Sequence, residues 1–383
     1  MTIYIIVLLA FLSHLGFAGS RLAVPLAALD HGATPFITGT IISLYAALPA
    51  VLALPAGRLT DRLGFRAPML FGTSGVCIAL LIPCLWPTMA ALYFSAALLG
   101  LAFMVLQVAT QTLAGAVASG SDRARNFSLL SLGYASANFS GPLVTGILID
   151  TIGHRYTFLA LAAPLVPAIG LAVAGKRWIP DVHAVSDSVK GGALELLRIK
   201  PLRDTLIASG IVSVAWDVYQ FFMPIYGRSL GLSATAIGTV MSAFAISIIL
   251  VRLILPFAVR RTGEAQMLTY AMFIACGAFC LFAVSESAWP LAAVSFLLGI
   301  GCGCGQPLSM TLVYNASPKG RAGEAAGMRI TVNQVAHFAI PLLFGAVGSV
   351  AGYAAVFFTN AAFLASGGFI SYRNHPKHPP SRR

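Results

Sequence analysis

The chain has 383 residues, of which 58% are hydrophobic and only 9% are charged, against about 25% charged residues in an ordinary soluble domain. This composition excludes a soluble enzyme or signalling domain, because a water-soluble fold could not bury so much apolar surface. The net charge of +12 does not indicate a nucleic-acid partner, since the basic residues are spread among short loops and do not form one patch.

Apolar segments follow one another along the whole chain, and each is long enough to cross about 30 Å of hydrocarbon as a helix. The first segment could be mistaken for a signal peptide, but it is too long and lacks a basic start. The apolar segments and the helix-breaking residues between them predict twelve spans. These are residues 3–29, 35–57, 67–86, 88–118, 127–150, 156–175, 205–227, 233–258, 265–284, 288–315, 323–350 and 353–372.

The distribution of basic residues predicts the orientation. If the N-terminus is inside, 19 of the 24 Lys and Arg residues lie in cytoplasmic loops or the C-terminal tail, where such residues are retained. We therefore expect a multi-pass protein of the cytoplasmic (inner) membrane with both termini in the cytoplasm. The polar stretch 176–203 predicts a cytoplasmic linker between halves 1–175 and 204–372, with a short surface helix at 193–199, and 373–383 predicts a cytoplasmic tail.

The two halves resemble each other at an offset of 199 residues. Eight identical pairs share that offset: Pro25 and Pro224, Gly39 and Gly238, Gly64 and Gly263, Gly100 and Gly299, Gln107 and Gln306, Pro142 and Pro341, Gly146 and Gly345, and Gly153 and Gly352. Because six spans are an even number, both halves enter the membrane in the same sense. The sequence thus predicts an all-α membrane protein of two six-helix bundles, related by a pseudo-two-fold axis along the membrane normal, around a central cavity.

The loop between the second and third spans reads Gly-Arg-Leu-Thr-Asp-Arg-Leu-Gly-Phe-Arg over residues 57–66. It resembles the cytoplasmic signature of the major facilitator superfamily, and with the spans, repeat and linker the resemblance covers the whole chain. The resemblance implies the major facilitator fold and an inner gate that latches the bundles. An ordinary solvated turn is the alternative. The implied gate residues are Gly57, Asp61, Arg62, Gly64 and Arg66, with Arg125 in the next cytoplasmic loop.

The chain departs from the family pattern at three positions. Phe65 replaces a basic residue of the signature, and Arg260 stands where the second half would repeat Asp61, so we expect an asymmetric gate. Ala96 replaces an arginine that the family associates with proton coupling, which argues against coupling through that position. Gly133, Gly141 and neighbouring small residues of the fifth span partly resemble the motif of the family's exporters, although close helix packing explains them equally well.

Charged groups inside the spans are costly and therefore candidates for function. Asp217 is the one carboxylate predicted near the midplane, either as a coupling or substrate-contacting group or as part of a structural ion pair. Arg21 and Arg329 could neutralise an anionic solute or could extend to the membrane interface. His14 could shuttle a proton, although packing between helices is the better interpretation.

Uncharged polar residues predict the lining of the cavity. Asn333 and His337 lie four residues apart on one face with Arg329. The predicted lining comprises Gln107, Gln306, Asn138, Asn333, His337, Tyr219 and Gln220.

Together these patterns predict a secondary transporter that works by alternating access, most simply proton-linked efflux of an amphiphilic compound or metabolite. The alternative is an uptake or exchange carrier for a small organic anion. An intramembrane enzyme would need a nucleophile with its base or a zinc motif at membrane depth, and neither occurs. We expect no cofactor, metal or nucleic acid, and a monomer whose partners are the solute, a coupling proton and the lipid bilayer.

Overall fold

A computed structural model describes residues 2–117, 122–177, 198–317 and 322–373. Within those ranges all regular secondary structure is helical. The helices are α1 (Thr2–Asp30), α2 (Pro35–Leu63), α3 (Arg66–Leu85), α4 (Met89–Ala116), α5 (Asp122–Ala162), α6 (Leu165–Val173), a 3-10 turn (Ala174–Arg177), α7 (Lys200–Ser229), α8 (Ala234–Thr262), α9 (Glu264–Phe282), α10 (Ala288–Ala316) and α11 (Ala322–Arg373).

Ten stretches of the described chain are long and apolar enough to cross a membrane. Two of them, Arg125–Val173 with 49 residues and Val332–Arg373 with 42, are twice the length of one span. Each is interrupted by one glycine with a non-helical backbone, Gly153 in α5 and Gly352 in α11. The described residues therefore contain the twelve predicted segments in the predicted order, and the all-α membrane fold class is confirmed. The linker helix predicted at 193–199 lies almost wholly outside the described residues, and the tail 374–383 does so entirely.

Left-handed glycines make the internal repeat visible in the backbone. A positive φ is readily adopted only by glycine, and each such residue stands at a break between helices. The six positive-φ glycines of the described residues form three pairs at the offset of 199: Gly32 and Gly231 (φ 79° and 73°), Gly64 and Gly263 (70° and 82°), and Gly153 and Gly352 (77° and 81°). The first of these pairs adds a ninth match to the eight found in the sequence.

The chain packs as two compact units, each of which contains residues from both predicted halves. Unit 1 comprises Met1–Ser188, Gln220–Ser242 and Phe338–Ser349, and unit 2 comprises Val189–Tyr219, Ala243–His337 and Val350–Arg383. This division does not coincide with the predicted boundaries at 175 and 204, which remain predictions.

Unit 1 is held together by close helix pairs, chiefly α1 with α5, α3 with α4 and α2 with α4. Small residues allow this approach: a Cβ on Gly100 of α4 would collide with the carbonyl oxygen of Tyr45 on α2. The same contact recurs in unit 2, where a Cβ on Gly299 of α10 would lie 2.5 Å from the carbonyl oxygen of Phe244 on α8. Both residues of the second contact lie 199 positions after those of the first, so the repeat extends to the helix contacts within each unit.

This packing predicts a large difference between two glycine substitutions in unit 1. Gly100→Ala forces a methyl group into the α2 backbone, and we expect it to destabilise the protein by about 1–3 kcal/mol, as overpacking typically does. Gly170→Ala on α6 is the matched control, because nothing lies within 4 Å of a Cβ there. It should be neutral or slightly stabilising, since alanine favours a helix over glycine. Thermal unfolding of the purified variants in detergent measures both, and equal unfolding temperatures would contradict the packing argument.

Candidate functional site

Unit 2 contains a line of polar side chains along the contact of α7 with α11, which we call the α7–α11 ladder. It consists of Ser209, Ser213 and Asp217 on α7 and Arg329, Asn333 and His337 on α11, and five of these six side chains are buried. Residues four apart fall on one face of a helix, so each helix presents three consecutive polar turns to the other.

Arg329 forms the first rung of the ladder. Its Nε donates to Ser209 Oγ at 2.9 Å and to Ser309 Oγ on α10 at 3.2 Å. The side chain is only 7% exposed. The sequence allowed Arg329 to extend to an interface, but the structure buries its guanidinium among hydroxyl groups.

Asp217 forms the third rung with His337. Its Oδ2 lies 2.5 Å from His337 Nδ1, and its side chain is 2% exposed. The imidazole is partly accessible, with 30% of its side chain exposed. A buried carboxylate is costly unless it is paired, and an imidazole can carry or release a proton near neutral pH. The pair therefore places a carboxyl group and an imidazole in direct contact inside unit 2.

Polar and aromatic side chains of α1, α4 and α5 pack together in unit 1. His14 of α1 lies among the rings of Phe17, Phe103 and Tyr134, at centroid distances of 5.8, 4.9 and 5.1 Å. Asn138 donates to the carbonyl oxygen of Tyr134 one turn before it on α5. The packing interpretation of His14 accords with this aromatic surrounding.

The other predicted lining residues are distributed between the two units. Arg21 and Gln107 are partly exposed in unit 1, as is Gln220. Tyr219 is buried in unit 2 and stacks on Phe244 at 4.3 Å. The side chain of Gln306 lies outside the described part of the chain.

Helix ends from both halves of the sequence meet within unit 1, in a group that we call the Asp30 end. It comprises Asp30 of α1, the start of α2, the end of the first segment of α5, the end of α7, the start of α8, and Ser349 of α11. Asp30 accepts from Arg228 Nη2 at 2.5 Å and pairs with His154 Nε2 at 2.8 Å. These side chains are partly exposed, so each contact contributes modestly to stability.

Two helix N-termini are capped at the Asp30 end by residues 199 positions apart. Asp150 accepts from the backbone N–H of Ala234 at 3.1 Å and of Thr235 at 2.7 Å, at the start of α8. Ser349 accepts from the backbone N–H of Phe36 at 3.1 Å, at the start of α2. A negative side chain at a helix N-terminus satisfies open N–H groups and complements the helix dipole. The first cap should therefore be the stronger.

Close backbone contacts accompany the caps. A Cβ on Gly39 would collide with the carbonyl oxygen of Pro341, and a Cβ on Gly238 would collide with that of Pro142. These four residues are two of the eight pairs that defined the repeat. The Asp30 end is therefore built from two related crossings, α2 with α11 and α8 with α5.

We predict that Asp150→Ala lowers stability by about 0.5–2 kcal/mol, the usual effect of losing a charged or polar N-cap. Thr151→Ala is the neighbouring control, because its hydroxyl bonds only to carbonyl oxygens of its own helix, those of Ile147 and Leu148. The unfolding temperature in detergent measures the difference. Identical values for the two variants would show that the α8 cap contributes nothing.

The predicted inner gate is described only in part. Gly57 lies within α2, and the turn itself is made at Gly64 with φ 70°. Arg66 Nη2 donates to the carbonyl oxygen of Val173 at 3.0 Å, and Arg125 Nη2 donates to Tyr4 Oη at 3.1 Å. The side chains of the other two gate candidates, at positions 61 and 62, lie outside the described residues.

Several contacts in these sites did not follow from the sequence. The sequence placed His337 in the lining but did not pair it with Asp217, because the two residues are 120 positions apart. The ion pair of Arg228 with Asp30 was likewise not predicted, because the two residues are 198 positions apart. Asp30 directly follows the first predicted span and Asp150 is the last residue of the fifth, so an acidic residue at a predicted helix end was the available signal.

The family model described as Major Facilitator Superfamily matches residues 6–341 and, in a second match, 205–383. The chain is 27% identical over 334 residues to the tetracycline resistance protein, class G, of Vibrio anguillarum, covering 81% of this chain and 80% of that protein. It is 25% identical over 362 residues to the multidrug resistance protein MdtG of Citrobacter koseri, covering 90% and 86%.

Solved structures are similar in fold. A crystal structure of the nucleoside transporter NupG superposes with a TM-score of 0.85 at 14% identity, covering 97% of this chain and 99% of that one. A crystal structure of the peptide transporter POT gives a TM-score of 0.81 at 16% identity, covering 97% and 93%. At these identities the likeness establishes the fold alone.

Proposed function

Because this chain belongs to the major facilitator superfamily, whose members are transporters and not enzymes, we propose that it exports an amphiphilic compound or metabolite in exchange for protons. The two six-span halves, 1–175 and 204–372, alternate between access from either side of the cytoplasmic membrane. Both termini lie in the cytoplasm, because that orientation keeps most basic residues inside.

The observation that carries the proposal is the buried pair of Asp217 and His337 in unit 2. A proton-driven exporter needs a group inside the membrane that binds a proton in one state and releases it in another. Asp217 is 2% exposed, and its partner is an imidazole, which can both donate and accept a proton. Coupling therefore uses this pair rather than the arginine position of the fourth span, where the chain has Ala96.

The direction of transport is supported by the relatives. Proteins named for resistance to tetracycline and to multiple drugs are similar to this chain over four fifths or more of its length. A membrane transporter confers such resistance most simply by removing the compound from the cell. The Asp30 end contains the predicted outer loops, and we assign its packed helix ends to a state closed to the outside.

Reconstituted protein tests the proposal directly. Proteoliposomes carrying a pH-sensitive dye and an imposed pH gradient are given tetracycline or ethidium as probes. We expect probe movement to follow the gradient and to be accompanied by a counterflow of protons. Probe movement that is unaffected by the gradient would exclude proton exchange.

An exchange carrier for a small organic anion is the second candidate, and the burial of Arg329 favours it. The Arg329 guanidinium lies deep in unit 2 beside the neutral hydroxyls of Ser209 and Ser309. The carboxylate or phosphate group of a solute could form bidentate hydrogen bonds with this guanidinium. Counterflow of labelled citrate or phosphate, lost on Arg329→Gln, would favour this candidate over efflux.

A further inference from the structure

The middle and third rungs of the α7–α11 ladder contain buried oxygen atoms that the described residues do not satisfy. Ser213 Oγ, Asn333 Oδ1 and Asp217 Oδ1 are all buried without a hydrogen-bond partner within the described ranges. Their residues are 1%, 7% and 2% exposed. An unsatisfied buried polar atom costs about 1–3 kcal/mol, so three such atoms on adjacent turns of one helix contact call for a partner, such as a bound water or ion.

The neighbouring rungs place Ser213 and Asn333 at one level, with Asp217 one turn further along α7. Ser209 bonds to Arg329 and Asp217 pairs with His337, both with a separation of 120 residues. Ser213 and Asn333 are also 120 apart, and each lies one turn, about 6 Å, from the flanking rungs. The helices are close here, since Val332 Cγ1 lies 3.5 Å from a Cβ built on Gly210.

The surrounding charges decide which ligand fits. The guanidinium of Arg329 flanks the middle rung on α11, and its positive charge offsets that of the Asp217 carboxylate. Three oxygen atoms are also fewer than the six or more that Mg²⁺ and Ca²⁺ take, so a metal cation is disfavoured. A water molecule matches the three oxygens: it donates to Asn333 Oδ1 and Asp217 Oδ1 and accepts from the Ser213 hydroxyl. Buried waters typically make about three hydrogen bonds of this kind.

We propose that Ser213, Asn333 and Asp217 bind a buried water through which the coupling proton reaches Asp217 Oδ1. When Oδ1 is ionised, the water donates to it and accepts from Ser213. When Oδ1 gains a proton, the new O–H donates to the water, and the water turns its freed hydrogen towards Ser213 Oγ. A hydroxyl serves both states because it donates and accepts, which makes Ser213 a positioning residue.

This inference rests on the proposed role of Asp217 as the proton-binding group. Among the described residues, His337 on α11 pairs with the Asp217 carboxyl, and Cys302 on α10 lies within electrostatic range of it. Neither is changed by substitution of Ser213, so a shift in titration on that substitution reports on the water.

Infrared difference spectroscopy of the purified full-length protein across a pH titration provides the test, through the C=O band of the protonated carboxyl group. Ser213→Ala removes the donor that holds the water and weakens solvation of the carboxylate. We expect the midpoint of the band to move to higher pH by about one pH unit, a tenfold change in proton affinity. Ser213→Thr keeps the hydroxyl and should restore the wild-type midpoint.

Ser247→Ala is the matched control, because Ser247 is a buried serine on α8 whose hydroxyl bonds to the carbonyl oxygen of Phe244. It should leave the midpoint unchanged, and the same result for Ser213→Ala would overturn the water site. A band that persists in Asp217→Asn would instead overturn the role of Asp217, so the two failures are distinguishable. If Ser213→Ala does not fold, a wild-type map that resolves ordered waters decides: density within hydrogen-bond distance of the three oxygens supports the site, and a direct Ser213 to Asn333 bond excludes it.

Discussion

Asp217→Asn is expected to abolish proton-driven accumulation of the transported probe. If one proton is exchanged per molecule, a pH difference of about one unit can sustain about a tenfold gradient of the solute, because a factor of ten corresponds to about 1.4 kcal/mol. Asparagine retains the shape of the side chain and a hydrogen bond to His337 but cannot bind or release a proton. The solute gradient should therefore collapse to about onefold, while exchange of labelled for unlabelled probe at equal pH continues.

The matched control is Asp204→Asn, which makes the same chemical change on the same helix. Asp204 lies near the start of α7, is partly exposed, and pairs loosely with Arg203 at 3.7 Å. Steady-state accumulation of ethidium in proteoliposomes measures both variants. A gradient in Asp217→Asn as large as that in Asp204→Asn would remove the Asp217–His337 pair from the coupling mechanism.

The fold could be predicted from the sequence because the lipid simplifies the problem. In hydrocarbon every backbone polar group must be satisfied within the segment, so a long apolar run has to be a helix. The repeat then predicts the symmetry. The reason why its glycines and prolines match became clear only in the structure, where Gly39 lies against Pro341 and Gly238 lies against Pro142. These positions were recognised as matches, but that they contact each other could not be read from spacing.

The candidate site was predictable only up to single helices. Helical periodicity put Arg329, Asn333 and His337 on one face, and the cost of a buried charge singled out Asp217. That α7 and α11 bring these groups together at a constant separation of 120 residues is a result of tertiary packing. A single sequence contains no local signal for it.

A disulfide across the Asp30 end is expected to stop transport. If transport requires α2 and α11 to separate there, a covalent bond between them holds the protein in one state. Phe36 and Gly345 are the candidate pair, since a Cβ on Gly345 lies 3.3 Å from Phe36 Cα and 3.0 Å from the carbonyl oxygen of Pro35, a contact that needs a small local shift. This brings the two Cα atoms within about 5 Å, at the short end of the range of about 4.4–6.8 Å found in disulfides.

Phe36→Cys with Gly345→Cys should transport probe under reducing conditions and fall to less than about one tenth of that rate after oxidation, because the locked state cannot exchange with the other. Reduction should restore the rate. Each single variant exposed to the same oxidant controls for the six native cysteines, and neither should lose activity. The oxidised double variant could be fully cross-linked and still move the probe as fast as it does under reducing conditions. In that case the Asp30 end does not open during transport. The pathway would then have to reach the outside by a route that leaves the α2 to α11 crossing intact.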